Sequence, residues 1–311
     1  ARYNLSMQFF TKVDIKPFDK KIDHRAPILS LGSCFADNIA KRLQRAKFTT
    51  TASPIGILFN PESIARAIER FARASHSEDT LPTADELLQS NGLWYSYDFH
   101  SSLSHTNADT ALSQMCEAVM RGAEALTAAE VVIITFGTAF VYRLNASGEV
   151  VANCHKQPQK LFTRQMLSAE EIVKRYNTLL QGPLADKRVI FTLSPVRHLC
   201  DGMEQNSLSK ATLRVALGEI VSANKNAEYF PSYEIMMDEL RDYRFYADDM
   251  SHPSPLAVDY IWERFGQAIF SSDTLELNSR IERILTAAEH RPFNPDSDAH
   301  RTFCRRMMAE C

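Results

Sequence analysis

One serine and one short loop carry the side chains in this sequence best suited to nucleophilic catalysis. Ser33 follows the apolar run at residues 27–31 and precedes a helical pattern. A serine hydroxyl there can attack an acyl carbon once a base removes its proton, and the N–H groups of a helix N-terminus can hold a developing oxyanion. On this fragment alone the commoner interpretation is an N-cap serine, because serine is a preferred capping residue.

The loop that contains Asp249 and His252 supplies the other half of such a site. An acid shortly before a histidine can accept a hydrogen bond from one imidazole nitrogen and so fix the tautomer. The other nitrogen can then take the proton of a serine. The Asp-x-x-His pattern is weak by itself, and its value lies in the pairing with Ser33. Together the two fragments predict a Ser33–His252–Asp249 triad.

Short apolar runs that alternate with helical patterns predict the parallel sheet that must bring these fragments together. Strands are expected at residues 27–31, 48–52, 131–136, 188–193 and 228–230, and helices at 35–46, from 61, at 168–182, at 209–223 and from 255. One more helix and a polar tail are expected after residue 274. The run at 131–136 is almost wholly apolar, as is typical of a central strand with helices on both faces. Ser33 would lie at the carboxyl edge of the sheet, where open α/β folds bind ligands.

Two excursions interrupt this pattern. Residues 91–105 are rich in aromatic side chains, and residues 140–153 predict a β-hairpin. If the hairpin is symmetric, it returns Asn153 to the sheet edge beside Gly137 and Thr138. The aromatic excursion is interpreted as an insertion that packs its own small core, with a recognition surface as the alternative.

The same placement nominates four candidate substrate-binding residues. His155 and Lys156 follow the hairpin, and Tyr233 and Glu234 follow the fifth strand. Each would lie near the carboxyl edge of the sheet. For His155, a hairpin-end histidine satisfied by its own neighbours is an equally good interpretation.

Composition argues against several classes of protein. The 35 Lys and Arg residues are balanced by 38 Asp and Glu, so no basic surface for nucleic acid is indicated. No apolar run reaches the about 18 residues of a membrane span, and no export signal is visible. The six cysteines are scattered without a CxxC pair, which favours a reducing compartment. We expect a cytoplasmic protein without a cofactor, and leave open a signal peptide that has been removed.

Other candidate sites are weaker. Cys34 could replace Ser33 as the nucleophile, but a small buried cysteine is usually packed. Cys154 and His155 with His198 and Cys200 lack the spacing of zinc ligands, so no metal site is predicted.

The chain resembles the GSCFA family, which is grouped with the SGNH or GDSL-like hydrolases. The blocks that carry the resemblance are 31–36 (LGSCFA), 53–61 (SPIGILFNP), 136–142 (FGTAFVY), 153–156 (NCHK), 194–196 (SPV) and 249–252 (DMSH). The resemblance implies a flavodoxin-like three-layer α/β/α fold with a central parallel five-stranded sheet and a Ser-Asp-His site. The expected domain is 22–270, with insertions at about 75–125 and 139–160, a lead-in at 1–21 and a C-terminal helical extension at 271–311.

The resemblance also implies roles for single residues. Ser33 matches the nucleophile, and Asp249 with His252 matches the last block. Gly56 matches the glycine whose N–H joins that of Ser33 in the oxyanion hole. Many SGNH enzymes have Gly-x-Asn where this chain has Gly137-Thr138-Ala139. Asn153 or Thr138 is the expected substitute for the missing asparagine.

These observations predict a serine esterase that removes an O-acyl group from a carbohydrate-like or other small substrate. An acyltransferase with the same triad would have the same sequence features. A binding module that keeps the fold without catalysis is the alternative from another class, because the third-block asparagine is missing.

Overall fold

The computed structural model describes residues 10–77 and 80–310. Ten strands are found there: β1 Ile28–Gly32, β2 Thr50–Ala52, β3 Leu88–Ser90, β4 Leu93–Tyr95, β5 Val131–Phe136, β6 Phe140–Leu144, β7 Val150–Val151, β8 Phe162–Met166, β9 Arg188–Leu193 and β10 Ala227–Phe230. The helices are α1 Cys34–Arg45, α2 Pro61–Ala74, α3 Ala108–Ala128, α4 Ala169–Gln181, α5 Met203–Ala223, α6 Ser232–Glu234, α7 Pro255–Ile269, α8 Ser272–Glu289 and α9 Asp298–Glu310.

The central sheet has five parallel strands in the order β2-β1-β5-β9-β10. All six residues of β5 are buried, as expected for the almost wholly apolar run VVIITF in the middle of the sheet. The predicted three-layer α/β fold with a parallel five-stranded sheet is confirmed. Because β1 leads to β2 on one side and the chain then crosses to β5 on the other, the strand order reverses between β1 and β5. In open α/β sheets a ligand crevice forms at such a switch point.

Alternate residues of the strands point into two separate hydrophobic cores. Leu29 and Leu31 of β1 pack in the core formed with α2, α3, α4 and α5. Ile28 packs in the other core, which contains α1 and α7. This period of two residues is what a strand buried on both faces requires.

Helices α1 and α2 both begin at a polar N-cap residue, but only the cap of α2 makes a side-chain hydrogen bond. Asn60 caps α2 by accepting the Ser63 N–H at 2.8 Å, and Pro61 occupies the first helical position. Ser33 is the N-cap of α1, but its side chain makes no capping hydrogen bond. Its hydroxyl is therefore not used for the role that would explain it most simply.

Four elements differ from the sequence-based expectations. Helix α3 was not predicted, although it packs on α2 in the main core. Helix α5 begins at Met203, six residues before the expected start at Ser209. Strand β8 adds a third strand to the predicted hairpin, giving the order β7-β6-β8. The C-terminal extension holds two helices, α8 and α9, where one helix and a tail were expected.

The aromatic excursion is part of the main core, which contradicts the expectation of a separate small core. Strands β3 and β4 form a hairpin, and Phe99 behind them is fully buried in the core with α2 and α3. The described part of the N-terminal lead-in contacts α7, where the Phe18 N–H donates to the Ala268 carbonyl at 3.0 Å. Residues 1–9 of that lead-in are outside the described residues. Within the described chain, no helix combines the length and apolarity needed to cross a membrane.

Two helical glycines give a matched test of how tightly α2 and α3 pack. A Cβ on Gly122 of α3 would lie 2.3 Å from Cε1 of Phe71, whereas a Cβ on Gly218 of α5 would come no closer than 3.5 Å to Arg214 Nη1. We expect Gly122→Ala to destabilise the protein by about 1–3 kcal/mol through overpacking. Gly218→Ala should stabilise it by up to about 1 kcal/mol through helix propensity. Urea unfolding of both variants checks this, and equal effects would contradict the packing described here.

Candidate functional site

Ser33 lies at the carboxyl end of β1, at the switch point of the sheet. The preceding Gly32 has a φ of +137°, and a Cβ there would lie 2.3 Å from the Thr135 carbonyl oxygen of β5. Only glycine fits this turn, which directs the chain from the strand into α1. Ser33 is 1% exposed, and its hydroxyl has no hydrogen-bond partner among the described residues. The buried hydroxyls of Ser30 and Thr135 also lack a partner there, so it is the position of Ser33 at the edge of the sheet that singles it out.

Because Gly137 has no side chain, the end of β5 can lie close to Ser33. A Cβ on Gly137 would lie 2.8 Å from the carbonyl oxygen of Phe59 and 3.4 Å from the Cβ of Ser33. The N–H groups of Gly137 and Thr138 both donate to that Phe59 oxygen, at 2.8 and 2.9 Å. The loop before α2 is thereby fastened to the end of β5, and Ser33 lies between them.

Asp249 and His252 form the predicted pair. The Nδ1 atom of His252 lies 2.6 Å from Oδ2 of Asp249, and Oδ1 accepts the backbone N–H groups of Ser251 and His252 at 2.9 Å each. These hydrogen bonds lower the pKa of Asp249 to about 2, the bond from the His252 N–H contributing most. The carboxylate therefore stays ionised and fixes His252 Nδ1 as the protonated nitrogen, which leaves Nε2 as an acceptor.

The loop of His252 is attached to the segment that follows β9. Arg197 N–H donates to the Ser251 carbonyl at 3.0 Å, and the Ser251 hydroxyl donates to the Arg197 carbonyl at 2.6 Å. The Arg197 guanidinium lies 3.9 Å from the centre of the Tyr246 ring, a cation–π contact. The structure thus brings His252 to the carboxyl edge of the sheet, although Ser33 and His252 are not hydrogen-bonded to each other.

His198 lies between the two halves of the site. Burial lowers its pKa to about 4, helped by the nearby Lys210 ammonium and by His252, while interactions with Asp201 and the Gly137 backbone oppose the fall. Its Nε2 atom is buried and has no hydrogen-bond partner within residues 10–77 and 80–310. A neutral imidazole therefore stands next to the Asp249–His252 pair.

Lys210 of α5 is buried behind this edge of the sheet. Its ammonium donates to the carbonyl oxygens of Gly137 at 2.6 Å and Ser194 at 2.8 Å, the residues that directly follow β5 and β9. Lys210 is 2% exposed, and burial lowers its pKa to about 7. The Cys34 thiol interacts with the charge of Lys210. The centre of the Tyr233 ring lies 6.0 Å from Lys210 Nζ.

The surroundings of the Cys34 thiol do not activate it as a nucleophile. Burial raises its pKa, which opposes formation of the thiolate that would react. The backbone N–H groups at the start of α1 and the Lys210 ammonium only reduce this rise.

The proposed oxyanion donors are engaged in other hydrogen bonds in this structure. The N–H of Gly56 donates to the Ser53 carbonyl at 2.8 Å, and the N–H of Ser33 donates weakly to Thr135 at 3.3 Å. The Thr138 hydroxyl lies 3.1 Å from that of Ser209 and accepts from the Phe140 N–H at 3.1 Å. A role for these groups in an oxyanion hole stays a prediction, and Gly56 would have to exchange one hydrogen bond for another.

Asn153 and His155 lie against the aromatic excursion. The Oδ1 atom of Asn153 accepts the His155 N–H at 2.8 Å. The backbone N–H of Asn153 donates to the Tyr97 carbonyl oxygen at 3.2 Å. The His155 Nε2 atom is 2.9 Å from the Ser96 carbonyl oxygen and 3.0 Å from that of Phe99. Burial lowers the pKa of His155. These contacts fit the interpretation of a hairpin-end histidine satisfied by its neighbours.

The other predicted substrate-binding residues differ in position. Tyr233 lies near Lys210, and burial raises its pKa. Glu234 accepts the Tyr229 hydroxyl at 2.8 Å and pairs with Arg214 at 2.8 Å. Lys156 is exposed. Tyr233 is thus the one of these three with a contact to a residue of the candidate site.

Sequence reasoning did not single out Lys210, and considered His198 only as a zinc ligand. A signal for Lys210 was present, since it shares the apolar face of α5 with Leu213, Leu217 and Ile220 at helical spacing. A lysine on such a face is rarely buried without a specific partner. No group of three or more His, Cys, Asp or Glu residues that could hold a metal occurs in the described part of the chain.

The lowered pKa of Lys210 predicts a pH dependence of stability. Lysine has an ordinary pKa of 10.5, so between about 7 and 10.5 the unfolded chain binds more protons than the folded protein. The contribution of Lys210 to the free energy of unfolding therefore rises with pH across this window. We expect this rise to be reduced in Lys210→Met, as measured by urea unfolding at several pH values. Parallel curves for the parent and the variant would contradict the burial of the ammonium.

Comparison with known proteins agrees with the sequence motifs. The model of the GSCFA family matches residues 27–265, which include Ser33, Gly137, Lys210 and His252. The model of the GSCFA domain protein, C-terminal domain, matches residues 281–311, which cover the end of α8 and α9. No curated protein matches the chain. Because the first model covers most of the chain, from β1 into α7, this protein belongs to the GSCFA family.

Proposed function

We propose that this protein is a serine hydrolase of the SGNH type, an esterase that uses Ser33, His252 and Asp249. The observation that carries the proposal is the Ser33 hydroxyl, which is buried at the switch point of the sheet and has no hydrogen-bond partner in the described part of the chain. A serine kept only as a helix cap would use its oxygen for capping, and this one does not.

The mechanism follows from the two halves of the site. His252 Nε2 takes the proton of Ser33 Oγ as that oxygen forms a bond to the acyl carbon, and the carbonyl oxygen becomes an oxyanion. Asp249 stabilises the imidazolium without accepting its proton. The intermediate collapses, the bond to the alcohol breaks, and His252 gives its proton to the departing alcohol oxygen. Water then attacks the acyl-serine while His252 takes its proton; the bond to Ser33 Oγ breaks, His252 returns the proton to that oxygen, and the acid is released.

The proposed substrate is an O-acyl group on a carbohydrate-like or other small molecule. It rests on the likeness to SGNH hydrolases, because the same fold can host many activities. An alcohol in place of water in the second step would make the same site an acyltransferase.

One observation favours a second candidate, a binding module that does not catalyse. The N–H groups of Gly56 and Thr138 are already bonded to carbonyl oxygens, so a ready oxyanion hole is not formed by them. Loss of one oxyanion donor typically lowers a rate about 10²- to 10³-fold. The two candidates therefore differ in whether Ser33 reacts at all.

Covalent labelling by a fluorophosphonate, followed by intact mass, distinguishes them. We expect the parent to gain one phosphonyl group, Ser33→Ala to gain none, and His252→Ala to react about 10²- to 10⁴-fold more slowly because the base is missing. Ser30→Ala is the matched control, since Ser30 is 1% exposed, lies in β1 just before Ser33 and also has a hydroxyl without a partner among the described residues. It should react like the parent.

Other results would separate the alternatives. A folded parent that is never labelled would support the binding module. Labelling that survives Ser33→Ala but is lost in Cys34→Ala would show that the nucleophile is the thiol.

A further inference from the structure

Lys210 is a buried cation that the mechanism above does not use. Its ammonium makes hydrogen bonds to two backbone carbonyl oxygens, and no carboxylate forms an ion pair with it among the described residues. A buried charge without a counter-ion is strongly disfavoured. Such a group is retained where its charge or its hydrogen bonds serve a purpose.

The two carbonyl groups belong to the two halves of the candidate site. Gly137 is the residue whose α-carbon faces the Cβ of Ser33. Ser194 lies three residues before Arg197, the residue that is hydrogen-bonded to the loop of His252. Through Gly137 and Ser194, the Lys210 ammonium therefore connects the strand end beside the nucleophile with the segment that carries the base.

The surroundings of Lys210 favour negative charge at the site. The titratable groups around it are Cys34 at the start of α1, His198 after β9 and Tyr233 on α6. Burial raises the pKa of the Cys34 thiol and of the Tyr233 hydroxyl and lowers that of the His198 imidazole, so all three are neutral at neutral pH. An anion that forms beside Ser33 would be the first counter-charge that this ammonium meets, in a region where charges interact strongly.

We propose that Lys210 is a positioning residue of the Ser33 site: its ammonium holds the ends of β5 and β9 together and offsets negative charge that develops on the acyl oxygen. This proposal rests on the proposed esterase function. The positioning requires the protonated form, since a neutral amine has two hydrogens and loses the charge-assisted character of both bonds.

Lys187 provides a matched control in the same molecule. It is 9% exposed, immediately precedes β9 at the opposite end of the sheet, and donates to the Thr127 carbonyl at 3.0 Å. It is also a largely buried lysine bonded to a backbone carbonyl. It differs in having a carboxylate partner, Asp186 at 3.2 Å, and in lying away from Ser33.

The experiment measures the initial rate of fluorophosphonate labelling against pH. In the parent we expect the rate to fall above about pH 7, where Lys210 becomes neutral. Lys210→Met should lower the maximal rate about 10²-fold, near the loss expected for one oxyanion-stabilising group, and should remove the fall at high pH. Lys210→Arg keeps its charge at high pH, so it should recover much of the rate without that fall. Lys187→Met should keep the parent profile.

Each outcome bears on the proposal. A labelled parent whose rate does not fall at high pH overturns it, even if the Lys210 variants do not fold. A fall that persists in folded Lys210→Arg also overturns it, because another group is then responsible. If Ser33 is labelled normally in folded Lys210→Met, this inference fails while the esterase proposal stands. If the parent is not labelled, or Ser33→Ala is labelled like the parent, both fail.

Discussion

The candidate site depends on how closely the carboxyl ends of β1 and β5 approach their neighbours. No side chain fits at the end of either strand. A Cβ on Gly32 would lie 2.3 Å from the carbonyl oxygen of Thr135, and a Cβ on Gly137 would lie 2.8 Å from the carbonyl oxygen of Phe59. The close approach is possible because both residues are glycine. It places Ser33 at the point where the chain departs to β2 on one side and to β9 on the other. A crevice at this point follows from the topology, and the chemistry of the site follows from what lines it.

The site has an electrostatic direction. On one side, Ser33 is the N-cap of α1, and the Lys210 ammonium donates to the carbonyl oxygen of Gly137, which lies beside Ser33. A helix N-terminus and a cation both favour negative charge. On the other side, Asp249 is kept ionised by three hydrogen bonds and favours positive charge on His252. In an ester cleavage by serine, negative charge develops on the acyl oxygen and positive charge on the imidazole. The charges on the two sides have the sense that the proposed reaction requires.

Local patterns in the sequence were enough to predict the strands, helix caps and turns that depend only on neighbouring residues. The run at 131–136, the capping residues before α2 and the turn at Gly32-Ser33 act over a few residues, and the elements form where expected. The position of Asn153 depended on long-range contacts, and Tyr97 of the aromatic excursion holds it. Helix α3 is rich in alanine and has a weak apolar pattern, so its place in the core becomes evident only from its packing against α2. Lys210 was not recognised as a buried residue, because a single lysine on an apolar helix face does not change the overall pattern.

The two halves of the site are held in different ways, and this determines what sets their separation. Ser33 is buried in the core, whereas the His252 side chain is 46% exposed on a loop that is bonded to Arg197. The loop of His252 is held both by the segment after β9 and by the bridge between Pro253 and Tyr246, a residue of the second core. The segment after β9 begins at Ser194, whose carbonyl oxygen shares the Lys210 ammonium with the carbonyl oxygen of Gly137. In the proposed mechanism, the charge of this one side chain would therefore affect both the field near Ser33 and the placement of the segment to which the His252 loop is bonded.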